Sequence, residues 1–188
     1  MKATGPGQSL LLLLDVVALL DRHGIQYGVV GAMAAAVYGT VRATTDADAL
    51  VSTAPAGLAR LEAPLRKAGF VTTLRRGDAD DPIVSLLQVG DSFGNRVDLL
   101  GGLRGLDPAA FGRTVAVAFQ GETLQVIGRE DFVAMKCFAG GPQDIADAQE
   151  AIESAQPSID LDLVRRVARR FGRPAADVLE GILANRHG

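Results

Sequence analysis

The sequence predicts an α/β (α+β) fold: a mixed β-sheet flanked by helices, followed by an α-helical C-terminal portion. Up to Ile127, short apolar runs bounded by glycine or polar turns alternate with segments of helical spacing. After Ile127 the apolar spacing is helical throughout. Residues 1–127 are therefore expected to form the core, and residues 128–188 a helical portion packed on it, because no linker rich in Pro or Ser separates them.

The predicted core elements follow in order along the chain. Apolar spacing and the glycines that end each run set their bounds. We expect helices over 8–23, 32–38 and 55–68; strands over 25–30, 46–52, 70–74, 83–89, 96–100, 115–119 and 123–127; and a polar loop over 75–82. The C-terminal helices are expected over 130–138, 144–154, 158–171 and 174–185, with Ser158 as the N-cap of the third.

Composition excludes several classes of site. The net charge of −3 argues against a generally basic nucleic-acid binder. One cysteine and two histidines exclude an internal disulfide and make a Cys- or His-rich metal site improbable.

The leucine-rich run over 10–20 is interrupted by Asp15 and is too short to span a bilayer, so it predicts a buried amphipathic helix. We expect a cytoplasmic protein without a membrane partner.

Two aspartates mark the candidate site. Asp46 and Asp48 lie one residue apart in a predicted strand, so both side chains point to the same face. Like charges on one face repel unless water or a cation separates them, and Mg²⁺ binds through one or two carboxylates plus substrate phosphates. The pair therefore predicts a Mg²⁺ site.

A turn and a short helix precede this strand. Gly31 ends an apolar run, and an Ala-rich helix begins at Ala32. The first turn of a helix presents free N–H groups that favour phosphate. A phosphate site followed by a metal site indicates nucleotide chemistry.

The stretch over 31–48 resembles the nucleotidyltransferases of the DNA polymerase β superfamily, most closely their AbiEii-like (abortive infection toxin) group. The matching residues are Gly31, Gly39, Arg42, Thr44, Asp46 and Asp48. The resemblance implies a nucleotidyltransferase-type sheet, Mg²⁺ or Mn²⁺, and an NTP as substrate. Ala32 departs from the Gly or Ser usual in that family, which removes a hydroxyl contact but leaves a backbone N–H.

The resemblance also implies a third carboxylate and a lysine. Asp98, between Val97 and Leu99, matches the family's third metal ligand; alone, it would be read as a solvent-facing strand residue. Lys136 matches a lysine that contacts the triphosphate, although a lysine in an apolar helix also commonly extends to solvent. Asp144 and Asp147 share a helix face, and in the family one such aspartate orders the site, for instance by pairing with the lysine. Gln143 replaces a basic residue.

Two further features leave alternatives open. Arg42 either binds phosphate or caps the preceding helix, and Thr44 is interpreted as a structural hydrogen-bonding residue. A basic stripe on one helix is a solvated face by default and an RNA contact otherwise; it comprises Arg165, Arg166, Arg169 and Arg170.

The sequence as a whole predicts a metal-dependent transfer of a nucleoside monophosphate from an NTP to an acceptor. The residues predicted to serve catalysis are Asp46, Asp48, Asp98 and Lys136, with nucleotide contacts from Gly31, Ala32, Arg42, Lys136, Asp144 and Asp147. The acceptor is either RNA, such as a tRNA, with an antitoxin protein as a partner, or a small hydroxylated antibiotic. A non-catalytic nucleotide-binding or partner protein of the same fold is the remaining alternative, favoured by Ala32 and Gln143.

Overall fold

A computed structural model describes residues 2–155 and 158–185 of the 188-residue chain. Residues 156, 157 and 186–188 of the predicted C-terminal portion lie outside the described residues. The strands are β1 (Tyr27–Val29), β2 (Asp46–Val51), β3 (Val71–Arg76), β4 (Ile83–Gly90), β5 (Arg96–Leu103), β6 (Val115–Phe119) and β7 (Glu122–Val126). The helices are α1 (Ser9–Arg22), α2 (Gly31–Val37), α3 (Pro55–Arg60), α4 (Glu62–Lys67), α5 (Arg129–Ala139), α6 (Pro142–Glu153), α7 (Leu161–Arg170) and α8 (Arg173–Asn185).

The seven strands form one mixed sheet in the order β3-β4-β5-β2-β1-β7-β6. The β2–β5 and β1–β7 pairs are parallel, and the other four are antiparallel. The predicted mixed sheet with flanking helices is thus confirmed. The two strands that carry the predicted carboxylates, β2 and β5, are neighbours at its centre.

Alternation along the central strands separates an apolar face from a polar one. Ala47, Ala49, Val97 and Leu99 are all at most 3% exposed. Helix α1 packs against β2, β5 and β7, while α3 and α4 pack against the β3–β5 side of the sheet. The carboxylates alternate with these core residues and therefore lie on the other face.

The C-terminal helices pack around α5, which contacts α6, α7 and α8. Phe132 of α5 is fully buried and packs against Tyr38 with ring centroids 5.3 Å apart. The Tyr38 hydroxyl donates to the carbonyl of Ile127, and the Ser154 hydroxyl donates to the carbonyl of Tyr38. These contacts hold α5 and α6 against the end of α2, the helix that begins at Gly31.

Several predicted bounds differ from those of the structure, two of them for a clear physical reason. The single helix over 55–68 is two helices, because Pro64 has no N–H to donate to the carbonyl of Arg60 and its ring disfavours a continuous helix there. Arg75 and Arg76, assigned to a loop, extend β3 because they pair with Leu86 and Ser85 of β4.

The N-cap of α7 is also corrected. Asp160, not Ser158, caps this helix, because its side chain accepts a hydrogen bond from the N–H of Leu163 at 2.9 Å. The helix accordingly begins at Leu161. Within the described residues, no helix combines the length and the apolar character needed to cross a bilayer.

Candidate nucleotide and metal site

Strand register brings the three predicted carboxylates to one patch of the sheet. Asp48 of β2 is the register partner of Asp98 on the parallel strand β5. Partners in register have their side chains on the same face, and Asp46 shares that face because it is two residues from Asp48. The partner of Asp46 in register is Arg96. The sheet therefore places three acidic side chains and one guanidinium together.

Gly31 lies directly against this patch. Its backbone has φ of +63°, and a Cβ at this position would clash with the Asp48 carboxylate. Only glycine satisfies both the positive φ and the close approach. The N–H groups of the first turn of α2, including that of Ala32, have no partner within the helix. The turn predicted to hold phosphate and the aspartate predicted to hold metal are thus in contact.

The environment shifts the pKa values of the three carboxyls differently. Burial, followed by the nearby charges of Asp46 and Asp98, raises the pKa of Asp48 to about 6. Burial also raises the pKa of Asp98, against the opposing effect of Arg96. Burial would raise the pKa of Asp46 too, but hydrogen bonds from Thr44 and Arg96 outweigh it and leave this pKa lowered. Asp48 is therefore the carboxylate whose negative charge is least well compensated.

The sequence did not single out Arg96 or Gln88, which hold the carboxylates. Arg96 Nη2 lies 2.5 Å from Asp46 Oδ2, and its Nε lies 3.5 Å from Asp98 Oδ1. Gln88 of β4 donates to Asp98 Oδ1 at 3.3 Å. Arg96 had a readable signal, since it stands two residues before Asp98 and so shares its face. Gln88 had none, because its position depends on the β4–β5 register.

Thr44 has the structural role predicted for it. Its hydroxyl is 3.0 Å from both the backbone carbonyl and the side-chain Oδ1 of Asp46. This contact stabilises the entry of the chain into β2.

The chemistry of the donor set fits a hard divalent cation, because all three candidate ligands are carboxylate oxygens. Their side chains are not gathered into a closed cluster: within residues 2–155 and 158–185, no group of three His, Cys, Asp or Glu side chains has the spacing of a metal site. Asp46 instead makes its short ion pair with Arg96. The three carboxylates are neighbours on one face of the sheet, and the Arg96 guanidinium lies among them.

Lys136 of α5 joins a second charged cluster. Its ammonium lies 2.7 Å from Asp144 Oδ1 and 2.8 Å from Asp147 Oδ2, both on α6. The Lys136 side chain is 12% exposed and that of Asp147 is fully buried. The alternative that this lysine extends freely to solvent is therefore wrong. The family-implied pairing of the lysine with an aspartate is present.

Arg42 and Gln143 complete the second cluster. Arg42 Nη1 is 2.9 Å from both carboxylate oxygens of Asp147, and Gln143 Nε2 donates to the same group at 3.0 Å. Burial opposes ionisation of Asp147, but the hydrogen bonds from Lys136 and Gln143 outweigh burial and lower its pKa. The hydrogen bonds of the Arg42 side chain thus go to α6 rather than to the end of α2, so the capping alternative is wrong.

The two clusters are electrostatically connected. The positive charge of Lys136 lowers the pKa of Asp48, against the larger effect of burial. The Lys136 ammonium is thus close enough to act on the Asp48 carboxylate through its charge.

The arginines of α7 are only partly free. Arg165 is paired with Glu180 of α8 at 2.8 Å, and Arg170 donates to the carbonyl of Leu106 at 3.4 Å. Arg166 and Arg169 are exposed. Arg170 is exposed as well, so the predicted basic stripe retains three exposed arginines that make no ion pair among the described residues.

The chain shares its fold with solved nucleotidyltransferase-like structures. The crystal structure of an antigenic nucleotidyltransferase-like protein from Paracoccidioides brasiliensis matches with a TM-score of 0.59 and 16% identity, over 98% of this chain and 92% of that one. The antibiotic-resistance factor ANT(2'')-Ia in solution matches with a TM-score of 0.56 and 14% identity, over 94% and 95%. ANT(2'')-Ia in complex with adenylyl-2''-tobramycin matches with 0.57 and 14%, over 85% and 94%.

These similarities show a nucleotidyltransferase-type fold. No protein-family model matches the sequence, and no curated protein matches it either. The AbiEii-like subgroup stays a prediction.

Proposed function

We propose that this protein is a metal-dependent nucleotidyltransferase that moves a nucleoside monophosphate from an NTP to a hydroxyl acceptor and releases pyrophosphate. The observation that carries the proposal is the contact of Gly31 with Asp48, itself the register partner of Asp98. A backbone turn suited to phosphate beside a carboxylate pair suited to a divalent cation supports the binding of one ligand that carries both, a metal-bound nucleotide.

Each group has a role that its position supports. Asp46, Asp48 and Asp98 would hold Mg²⁺ or Mn²⁺, which neutralises phosphate charge and orients the reacting oxygens. The N–H groups at Gly31 and Ala32 bind a phosphate oxygen. Lys136 contributes a positive charge toward the triphosphate, and Asp144 and Asp147 hold its ammonium in place.

The reaction needs no covalent intermediate. The acceptor hydroxyl attacks the α-phosphorus and gives up its proton to water, the bond from that phosphorus to the bridging oxygen breaks, and pyrophosphate leaves. Asp98 is positioned at the edge of the carboxylate patch that faces β4, where Gln88 orients it. Positioning and charge neutralisation account for catalysis of such phosphoryl transfers.

A small hydroxylated molecule is the favoured acceptor. The net charge of −3 and the pairing of Arg165 with Glu180 weaken the case for a polyanion. ANT(2'')-Ia, which shares the fold over most of its length, is known in complex with an adenylylated antibiotic. RNA, such as a tRNA, is the second candidate because Arg166 and Arg169 remain exposed on α7. An antitoxin partner would accompany only that second candidate.

The test is incubation of the protein with each α-labelled NTP, Mg²⁺ and a panel of hydroxylated small molecules and RNAs. The proposal predicts labelled acceptor together with stoichiometric pyrophosphate, and neither product with Asp48→Asn or Asp98→Asn. Mg²⁺-dependent NTP binding without transfer to any acceptor would favour the non-catalytic alternative.

A further inference from the structure

Arg96 lies between two of the three carboxylates that the metal would require. Its guanidinium contacts Asp46 through Nη2 and approaches Asp98 through Nε, at 2.5 and 3.5 Å. It is the register partner of Asp46 and stands two residues before Asp98 on the same strand. A single side chain therefore partly neutralises both of the outer carboxylates.

The carboxylates do not form a closed ligand set while these contacts are made. A ligand oxygen of Asp46 is taken up by Arg96, and no three acidic side chains among the described residues have metal-site spacing. Arg96 itself is half exposed, since 50% of its side-chain surface is accessible. An exposed guanidinium on a long flexible side chain can leave without any rearrangement of the backbone.

We propose that Arg96 is the resident counter-cation of the metal-free site, and that a divalent cation binds only by displacing its guanidinium from Asp46 and Asp98. This inference rests on the proposed function, because it assumes that these carboxylates hold the metal. Arg96 is thus a positioning residue that holds Asp46 and Asp98 and offsets their mutual repulsion until a cation of higher charge replaces it.

If the metal displaces Arg96, removal of the guanidinium should lower the stability of the metal-free protein and raise its affinity for the metal. Loss of the guanidinium leaves the carboxylates repelling one another, so the metal-free protein should become less stable. The same loss removes a competitor, so the divalent cation should bind more tightly. If Arg96 only stabilised the fold, its removal would not tighten metal binding. If Arg96 only contacted the nucleotide, its removal would not change the metal affinity measured without nucleotide.

The experiment measures Mn²⁺ binding without nucleotide, by electron paramagnetic resonance of the free ion, for wild type, Arg96→Gln, Arg96→Thr and Arg96→Lys. We expect Mn²⁺ to bind about two- to fivefold more tightly to Arg96→Gln and Arg96→Thr, because an exposed ion pair of this kind contributes a free energy of that size. The lysine variant, which keeps the charge, should stay near wild type. The melting temperature in EDTA should fall for Gln and Thr and recover when Mn²⁺ is added.

Arg75→Gln is the matched control. Arg75 lies on β3 and its charge lowers the pKa of Asp98 against the larger effect of burial, but it makes no ion pair in the described part of the chain. Its replacement should change Mn²⁺ affinity less than Arg96→Gln does. Equal tightening by both variants, or unchanged or weaker Mn²⁺ binding in Arg96→Gln, would overturn the inference while leaving the metal site intact. Absence of Mn²⁺ binding in every protein would instead overturn the proposed function, and the inference with it.

Discussion

Asp48 and Asp98 face the same side of the sheet as register partners on parallel strands, and burial raises the pKa of both. Neighbouring strands lie about 4.8 Å apart, so two ionised carboxylates here repel strongly unless a cation compensates them. The backbone of Gly31 closes one side of Asp48. Without a compensating cation, this arrangement lowers the stability of the folded protein.

The first prediction concerns pH. The pKa of Asp48 is about 6 in the folded protein against an ordinary 3.8. Between these values the folded state binds more protons than the unfolded state, so the free energy of unfolding should fall as pH rises from about 4 to 6, by up to about 3 kcal/mol. The raised pKa of Asp98 changes the free energy of unfolding in the same direction. The pKa values of Asp46 and Asp147 are lowered, so the stabilisation that these two carboxylates contribute is lost only as pH falls below about 4.

The measurement is thermal or denaturant unfolding in EDTA between pH 4 and 7. Asp48→Asn should remove most of the fall in stability over this range. Mg²⁺ should stabilise wild type more at pH 7 than at pH 5, because its ligands must be deprotonated. If the stability of wild type in EDTA does not change over this pH range, or if Asp48→Asn leaves the pH dependence unchanged, the pKa of Asp48 is not raised by folding.

The second prediction uses two glycines with the same backbone conformation. Gly31 and Gly24 have φ of +63° and +64°, but a Cβ would meet the Asp48 carboxylate only at Gly31, and nothing within 4 Å at Gly24. Gly24→Ala should lower the free energy of unfolding by about 1–2 kcal/mol, because an alanine is disfavoured at this positive φ. Gly31→Ala should cost more and should also weaken Mg²⁺-dependent NTP binding. Equal effects of the two variants on stability and on NTP affinity would refute a special contact at Gly31.

The third prediction separates two roles of Lys136. Lys136→Met leaves the buried Asp147 with Arg42 and Gln143 as partners, so a loss of about 1–3 kcal/mol in stability is expected. Arg42→Gln should cost less because Arg42 is more exposed and Lys136 remains. If Lys136 also contacts the triphosphate, Lys136→Met weakens NTP binding at a temperature where the variant is folded. Unchanged NTP affinity there would make this lysine purely structural.

The fourth prediction distinguishes the acceptor classes. An RNA acceptor should bind less tightly as salt rises, with a log–log slope of about −0.7 per phosphate contact. Arg166→Ala/Arg169→Ala should then flatten the slope for RNA and leave NTP binding unchanged. Replacing Arg165, already paired with Glu180, should do less. An identical RNA affinity and slope in wild type and the double variant would leave these arginines as a solvated helix face.

Much of the fold was predictable because its signals are local. The alternation around Asp46 and Asp48 fixes their common face from sequence alone. The glycine at position 31 marks the end of a strand and the start of α2 by the same kind of local signal. The break between α3 and α4 was missed although Pro64 was visible, because helical apolar spacing continues across it.

The contacts of the site were less predictable because they join distant segments. The pairing of Arg42 with Asp147 connects the chain before β2 to α6, and no periodicity encodes it. The placement of Arg96 beside Asp46 requires the parallel register of β2 and β5. Alternation alone placed Arg96 on the face of Asp98, so this residue was open to prediction and was overlooked.

The most direct test of the account is NTP binding at neutral pH with and without Mg²⁺, in wild type and Asp48→Asn, because it requires no knowledge of the acceptor. The account predicts that wild type binds an NTP only when Mg²⁺ is present, and that Asp48→Asn, although folded, loses this Mg²⁺-dependent binding. NTP binding that is absent from wild type, or that is indifferent to both Mg²⁺ and the Asp48 carboxylate, would contradict the account.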